Sequence, residues 1–301
     1  MKIAFINRSR SSHPGGDLVA IDETMAALRC RGIECEYAPE GWTSEWLSDF
    51  DVAHLFHMNF GWSLENIKKV YGYIPYVLTP IYYPDFAAGV SKGEMLGMLL
   101  RASMVMPFSN QERTEITAGI PYAKQARFYF VPNGTSQAFH HANVTNSGER
   151  KGVIAVAARE GDKGLNLVAE ACDMAGLPFH KVTGIPYAEM PLHYATARVF
   201  VNASGSERMS LTTGEALCAG CRVIDTEGNR GREWYGDRLV TWRPSDGPAT
   251  LAALLTGVYT ATDWDYAPNN LARSLTWDMV AAKLIVLYGD ANPAKLAFTG
   301  V

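Results

Sequence analysis

Arg198-Val199-Phe200-Val201-Asn202, Ala203-Ser204-Gly205-Ser206-Glu207-Arg208-Met209-Ser210-Leu211, Thr212-Thr213-Gly214-Glu215-Ala216-Leu217-Cys218-Ala219, Gly220-Cys221-Arg222-Val223-Ile224-Asp225 is the stretch that decides the fold. It opens on a short apolar run rich in β-branched and aromatic residues, the composition of a buried strand. A polar loop follows, then a helical segment over 212–219, then a second strand over 222–225. Strands alternating with helices of this length indicate βαβ units and a parallel sheet.

The alternation extends in both directions. Upstream, strands are expected over 3–6, 33–37, 52–56, 76–79, 105–108 and 128–131, with helices over 17–31, 64–71 and 92–102. Between 140 and 150 the chain is polar and aperiodic and reads as a linker. Beyond it, strands are expected over 152–157, 179–183, 198–202 and 239–242. Helices are expected over 164–176, 191–197, 249–260 and 269–288. The class is α/β: two doubly wound, Rossmann-like domains, 1–145 and 146–277, with a cleft between them. Ligands of open α/β sheets bind beyond the carboxyl ends of the strands. No Gly-x-Gly-x-x-Gly occurs, which disfavours a dinucleotide-fingerprint dehydrogenase.

Composition bounds the function. The 301 residues are 48% hydrophobic and 19% charged, which excludes a disordered chain, a coiled coil or a collagen-like fibre. With 27 basic and 31 acidic residues the net charge is −4, and no basic patch marks nucleic acid as the default partner. Five cysteines, an odd number in a long chain, argue against a secreted disulfide framework. The N-terminal apolar run ends at Arg8 and is too short for a signal peptide. No apolar run approaches the ~20 residues that cross a bilayer. The expected location is cytoplasmic, and the Asn-x-Ser/Thr triplets at Asn133, Asn143 and Asn202 are then chance matches.

Two carboxylates, Glu207 and Glu215, stand eight positions apart around a helix start. A helix N-terminus carries unpaired N–H groups and partial positive charge, so the segment Ser210, Leu211, Thr212 is suited to a phosphate. Flanking carboxylates can accept hydrogen bonds from sugar hydroxyls. An anion site between two hydroxyl acceptors suits a nucleotide sugar.

The stretch resembles the Glu-x7-Glu motif of retaining glycosyltransferases of the GT-B fold, in the large group 1, family 4-like set. Glu215-Ala216-Leu217-Cys218-Ala219-Gly220-Cys221-Arg222-Val223-Ile224 is similar to that family's Glu-Ala-Met-Ala-x-Gly-x-Pro-Val-Ile. Further segments resemble the family in order. They are Gly15-Gly16 before a helix, Asp51-Val52-Ala53-His54, Pro75-Tyr76-Val77-Leu78-Thr79, Val131-Pro132-Asn133-Gly134, Arg159-Glu160-Gly161-Asp162-Lys163-Gly164 and a closing helix at Trp277.

The resemblance implies transfer of a hexose from a UDP- or GDP-sugar, with retention and without a metal or other cofactor. It implies that the helix over 278–301 returns to the first domain. Glu207 would contact the donor sugar and Glu215 the ribose, while Arg159 and Lys163 would stabilise the departing diphosphate. Ser210, Leu211 and Thr212 would also bind the donor, as would Gly15 and Gly16 of the first glycine-rich loop. Three departures from the pattern bear on the proposed chemistry. Ser210 stands where the family usually has Gly, and the Arg159–Lys163 spacing is one residue short. Ile81 occupies the position of a usual His, with His57, Tyr82 and Asp85 as possible substitutes. His57 is therefore carried as a catalytic candidate.

Other features read as structural. Cys218-Ala219-Gly220-Cys221 lacks a second cysteine pair at zinc spacing. Asp49-Phe50-Asp51 and Asp263-Trp264-Asp265 match a short metal-binding pattern without its context. His54 reads as a core histidine, and Trp62, Tyr82 and Tyr83 as candidate acceptor-lining aromatics. The acceptor stays open among glycan, lipid, small molecule and modified nucleic acid, the last as for the DNA glucosyltransferases of some phages. A non-catalytic nucleotide-sugar binding protein is the alternative of a different class.

Overall fold

The computed structural model describes residues 1–11, 15–86, 88–146, 148–157, 163–236, 239–262 and 274–292. The chain forms two compact units, Met1–Asn133 with Trp277–Val301, and Gly134–Thr276.

The first unit runs β1 (Lys2–Ile6), α1 (Gly16–Cys30), β2 (Glu34–Tyr37), β3 (Val52–Phe56), α2 (Gly61–Val70), β4 (Tyr76–Thr79), α3 (Lys92–Arg101), β5 (Met104–Val105) and α4 (Asn110–Gly119). Its five strands are parallel, in the order β2-β1-β3-β4-β5. Parallel sheets bury both faces, so their central strands are continuously apolar. All five residues of β3 are buried. Ile6, Leu55, Leu78 and Val105 from four neighbouring strands share one core with Ile67 and Leu99 from the helices.

The second unit runs α5 (Gln137–Thr145), β6 (Val153–Ala157), α6 (Leu165–Ala175), β7 (Phe179–Thr183), α7 (Met190–Thr196), β8 (Val199–Val201), α8 (Leu211–Cys218), β9 (Arg222–Thr226), β10 (Leu239–Trp242) and α9 (Gly247–Thr260). The sheet order is β10-β9-β8-β6-β7, again all parallel. Counted within each unit, both sheets read 2-1-3-4-5. In that order the chain reverses its direction of travel between its first and third strands, and the crevice at that switch point is where doubly wound sheets bind ligands.

The last helix, α10 (Trp277–Ala291), belongs to the first unit. It packs against α1 and β4. Arg31 grips Asp278 with two bonds of 2.7 and 2.8 Å, and the Tyr288 hydroxyl lies 2.7 Å from His54 Nδ1.

Three expectations are corrected. The segment read as a linker over 140–150 carries most of α5. Ser136 caps that helix, and Phe139 and Ala142 are buried beneath its polar face, Phe139 against Tyr194 of α7. The division of the chain falls between Asn133 and Gly134, so α5 lies in the second unit. The strand expected over 128–131 is a single bridge between Phe128 and Val105. Its would-be partner β5 is two residues long. Pro107 and Pro132, which lack the N–H a ladder needs, follow the two short pairing segments. Of the helix expected over 269–288, residues 269–273 lie outside the described residues, Leu275 and Thr276 are not helical, and a helix begins at Trp277.

Candidate functional site

The switch point of the second sheet lies between β6 and β8. The chain leaving β6 reaches Lys163 and Gly164, which open α6; the chain leaving β8 carries Asn202 to Ser210, which open α8. Lys163 and Gly164 both have left-handed backbones, φ +57° and +70°. Gly164 has a steric reason to be glycine as well: a Cβ there would stand 2.8 Å from the Ala203 carbonyl oxygen. That approach brings the α6 entrance onto the loop after β8. Lys163 Nζ then lies 2.7 Å from Glu207 Oε1, the lysine exposed and the carboxylate largely buried. These two residues, forty-four positions apart, are the pair the fold brings together at the switch point. Arg159 lies outside the described residues.

Ser210 is the N-cap of α8. Its Oγ accepts the Thr213 N–H at 3.2 Å and lies 2.9 Å from Thr212 Oγ1. Its own N–H does not wait for a phosphate. It donates to Asn229 Oδ1 at 3.3 Å, and its carbonyl accepts the Tyr235 hydroxyl at 2.9 Å. The phosphate site expected from three successive amides is thus narrowed to those of Leu211 and Thr212. The Ser210 hydroxyl caps the Thr213 amide, a role that glycine has no side chain to fill.

Glu215 is fifth in α8 and 3% exposed. The Tyr194 hydroxyl donates to its Oε2 at 3.3 Å. Burial first, then Glu215, pushes the Tyr194 phenol well above its ordinary value. Tyr194 has no signal in the sequence that ties it to Glu215, twenty-one positions away.

Behind the loop sits a buried polar hub. Asp225 is the fourth residue of β9 and has no exposed surface. Its Oδ1 accepts from Asn202 Nδ2 at 2.8 Å and from the Thr213 hydroxyl at 3.1 Å; its Oδ2 accepts from Asn229 Nδ2 at 2.8 Å. Burial pushes the Asp225 carboxyl up to about 6, against the lowering effect of Asn229, Asn202 and Thr213. Neither Asp225 nor Asn229 stood out in the sequence.

In the first unit the equivalent switch point lies between β1 and β3. Asn7 and Arg8 follow β1, Gly15 and Gly16 begin α1 beside Asp17, and His57 follows β3 with φ +66°. Asp17 accepts Arg8 at 2.8 and 2.9 Å and Asn7 at 2.9 Å, and its Oδ2 lies 3.5 Å from His57 Nε2. Burial would raise the Asp17 carboxyl, but Arg8, then His57 and Asn7, hold it well below the usual carboxylate range. The rings of Phe60 and Trp62 stand edge-on to His57 at 5.3 and 5.5 Å. Gly15 and Gly16 thus serve the first unit's switch point. Asp17 was missed because one Asp in a helix's first turn is ordinary dipole complementation.

The remaining candidates divide. Ile81 is 7% exposed with φ +41°, a strained conformation for a β-branched residue. Tyr82 lies in the hydrophobic core and does not replace the missing His as a surface group, whereas Asp85 is exposed. His54 is a core histidine, bonded to Thr79 Oγ1 at 2.8 Å and pushed down to about 3 by burial. Asp51 accepts the Lys2 N–H at 2.8 Å, a structural use; Asp263 and Asp265 lie outside the described residues. All five cysteines are free thiols, and Cys221 Sγ donates to the Tyr194 carbonyl at 3.1 Å. Among the described residues no group of three or more His, Cys, Asp or Glu could hold a metal ion. No helix among them is long and apolar enough to cross a membrane.

With this geometry in place, the chain can be compared with known proteins. No protein-family model and no curated protein matches the sequence. Solved structures match along nearly the whole chain. Sucrose-phosphate synthase from Thermosynechococcus elongatus superposes with a TM-score of 0.75 at 15% identity, covering 97% of this chain and 99% of that one. HepE of Anabaena, in complex with UDP-glucose, gives 0.69 at 14% identity, covering 95% and 99%. A glycosyltransferase from Rickettsia africae gives 0.70 at 11% identity, covering 96% and 98%. The fold is GT-B. Two doubly wound five-stranded units and a last helix assigned to the first unit are this chain's version of it.

Proposed function

We propose that the protein is a glycosyltransferase that moves a hexose from a nucleoside-diphosphate sugar, UDP-glucose as first choice, to a hydroxyl-bearing acceptor. The observation that carries the reading is Lys163 paired with Glu207 at the switch point of the second sheet, beside the capped start of α8. The GT-B fold supports it, and so does the UDP-glucose held by HepE, a protein of the same fold.

Glycosyl transfer breaks the bond between the sugar's anomeric carbon and the diphosphate oxygen, and negative charge grows on the leaving group. Cationic and N–H donors aimed at that charge stabilise the transition state more than the ground state. Lys163, Arg159 and the Leu211 and Thr212 amides take this role. No metal is needed for it. Glu207 accepts hydrogen bonds from the sugar hydroxyls once Lys163 turns to the diphosphate, and Glu215 accepts from the ribose. The acceptor hydroxyl attacks from the face the diphosphate leaves, so the anomeric configuration is retained. His57, oriented by Asp17, is the candidate acceptor-side group of the first unit, and Gly15 and Gly16 are its candidate donor-binding residues.

The test is a thermal-shift panel of UDP- and GDP-sugars, with and without EDTA, on wild type, Glu207→Gln and Glu215→Ala. A ligand that binds only the folded protein raises its apparent stability by mass action. Stabilisation by one nucleotide sugar, indifferent to EDTA and weakened in both variants, is expected. Slow hydrolysis of that donor to a sugar of unchanged anomeric configuration, followed by NMR, then separates an enzyme from a binding protein. No stabilisation by any nucleotide sugar at millimolar concentration sinks the reading.

A further inference from the structure

With Asp225 ionised, its hub has a single hydrogen-bond sense. Asn229 Oδ1 accepts two backbone N–H groups, from Ser210 at 3.3 Å and Gly231 at 3.1 Å. Its amide nitrogen must therefore face Asp225 Oδ2. Asn202 Oδ1 accepts the Ser204 N–H at 3.2 Å, so its nitrogen must face Asp225 Oδ1. Only an acceptor satisfies both. The side chain at 225 consequently ties three backbone points together: the end of β8 through Asn202, the first turn of α8 through Thr213, and the loop after β9 through Asn229.

That last loop supports the loop after β8, which carries the proposed donor residues Glu207 and Ser210. The Glu207 N–H donates to the Gly228 carbonyl at 3.0 Å, and the Arg230 N–H donates to the Glu207 carbonyl at 3.0 Å, so Glu207 is bridged to Asn229. The two loops lie so close that a Cβ on Gly228 would stand 2.5 Å from the Gly205 carbonyl oxygen. Ser210 hangs on the same Asn229 oxygen. Glu207 and the start of α8 therefore share one support, and that support is oriented by a single buried carboxylate.

We propose that Asp225, acting through Asn229, is the positioning residue of the donor site, setting where Glu207 and the α8 N-terminus stand. This rests on the donor reading above. It makes a sharp demand on chemistry. In Asp225→Asn the new amide nitrogen faces the Asn229 nitrogen or the Asn202 nitrogen, donor against donor. In Asn229→Asp two carboxylate oxygens meet where one bond of 2.8 Å stood. In the exchange of the two, Asp225→Asn with Asn229→Asp, every bond is restored. The carboxylate moved to position 229 accepts the Ser210 and Gly231 N–H groups and the amide nitrogen moved to position 225. The amide oxygen at position 225 accepts Asn202 and Thr213. A non-additive rescue of this kind is the signature of a direct interaction in a double-mutant cycle.

The experiment uses the full chain as wild type, both single variants and the exchanged double variant, all checked for folding by circular dichroism at the assay temperature. Two quantities are read. One is amide hydrogen exchange over 203–212 without ligand. The other is the Kd of UDP-glucose by calorimetry. The expected result for Asp225→Asn is faster exchange over that segment and binding weakened about tenfold, which corresponds to about 1.4 kcal/mol. The double variant returns both to near the wild-type values, while exchange in α6 and α9 stays unchanged. A role confined to stability would lower the melting temperature and leave the Kd of the folded protein where it was. Equal exchange and equal Kd in wild type and Asp225→Asn, or a double variant no better than the singles, overturns the proposal. Should Asn229→Asp not fold, Asp225→Asn and the exchanged variant decide it. A wild type that binds no nucleotide sugar counts against the donor reading, and hydrogen exchange then decides the loop's dependence on Asp225 by itself.

Discussion

Replacing Gly164 by alanine tests whether the close approach of the α6 entrance to the loop after β8 builds the site. Two costs add there. The backbone is left-handed, φ +70°, and an L-residue in that conformation costs about 1–2 kcal/mol. The new Cβ would also stand 2.8 Å from the Ala203 carbonyl oxygen and 3.1 Å from the Ala203 Cβ. Both lie on or next to the main chain, so no rotamer change relieves the contact. Overpacking of this kind costs about 1–3 kcal/mol. The expected loss is about 2–5 kcal/mol, a fall of roughly 1–2 M in the urea midpoint read by circular dichroism. Because Lys163 is the adjacent residue, UDP-glucose affinity should fall as well. Gly205→Ala is the matched control. It lies in the facing loop, where a Cβ meets nothing within 4 Å, and should stay within about 0.5 kcal/mol of wild type. Equal stability and equal affinity in the two variants would refute the argument.

Arg222 is buried at the start of β9, and its guanidinium donates to the carbonyls of Val258, Tyr259 and Ala261 at the end of α9. Hydrogen bonds to a charged group are worth about 1.5–3 kcal/mol each, partly offset by relief of the buried charge. Arg222→Met should lose about 2–4 kcal/mol, read by calorimetry as a melting point lower by roughly 5–15 °C; unchanged melting would remove the capping role. Asp225 should make stability fall as pH rises. Its folded carboxyl, raised to about 6, keeps a proton that the unfolded chain releases near pH 4. The contribution is full below about pH 4 and gone above about pH 6, and urea titrations of Asp225→Asn should lack that downward slope. Asp17 should behave in the opposite sense, since its folded value is depressed. Its contribution is present above about pH 4 and is lost as pH falls further, so Asp17→Asn should show a shallower acid limb in the same titrations.

Periodicity alone carried most of the architecture. Buried parallel strands must be short, continuous and apolar, and β1, β3, β4, β6 and β9 announce themselves in that way. The reading failed where local polarity and tertiary burial disagree. The helix Gln137–Thr145 shows histidines and asparagine to the reader, while Phe139 and Ala142 are the residues the neighbouring helices cover. Phe128 looked like a strand because it is apolar, but the segment it would pair with stops after two residues.

The motif residues Glu207, Ser210 and Glu215 were legible because they sit at fixed offsets around one strand–loop–helix turn, and Lys163 because it falls in the Arg-x3-Lys-Gly run ahead of α6. Their partners were not. Asp225 meets Asn202, Thr213 and Asn229, Tyr194 meets Glu215, and Asp17 meets His57, all at separations that no local spacing rule spans. Arg222 stands where the family pattern has Pro, and only the packing of α9 shows what it does there. The sequence by itself determined most of the strands and helices, which follow from local periodicity, and its resemblance to a family motif singled out one turn as the candidate for the chemistry. The tertiary structure decided which amides stay available, which carboxylates are buried and what orients them. Those properties depend on groups that become neighbours only when separate strands share a sheet and water has been excluded from between them.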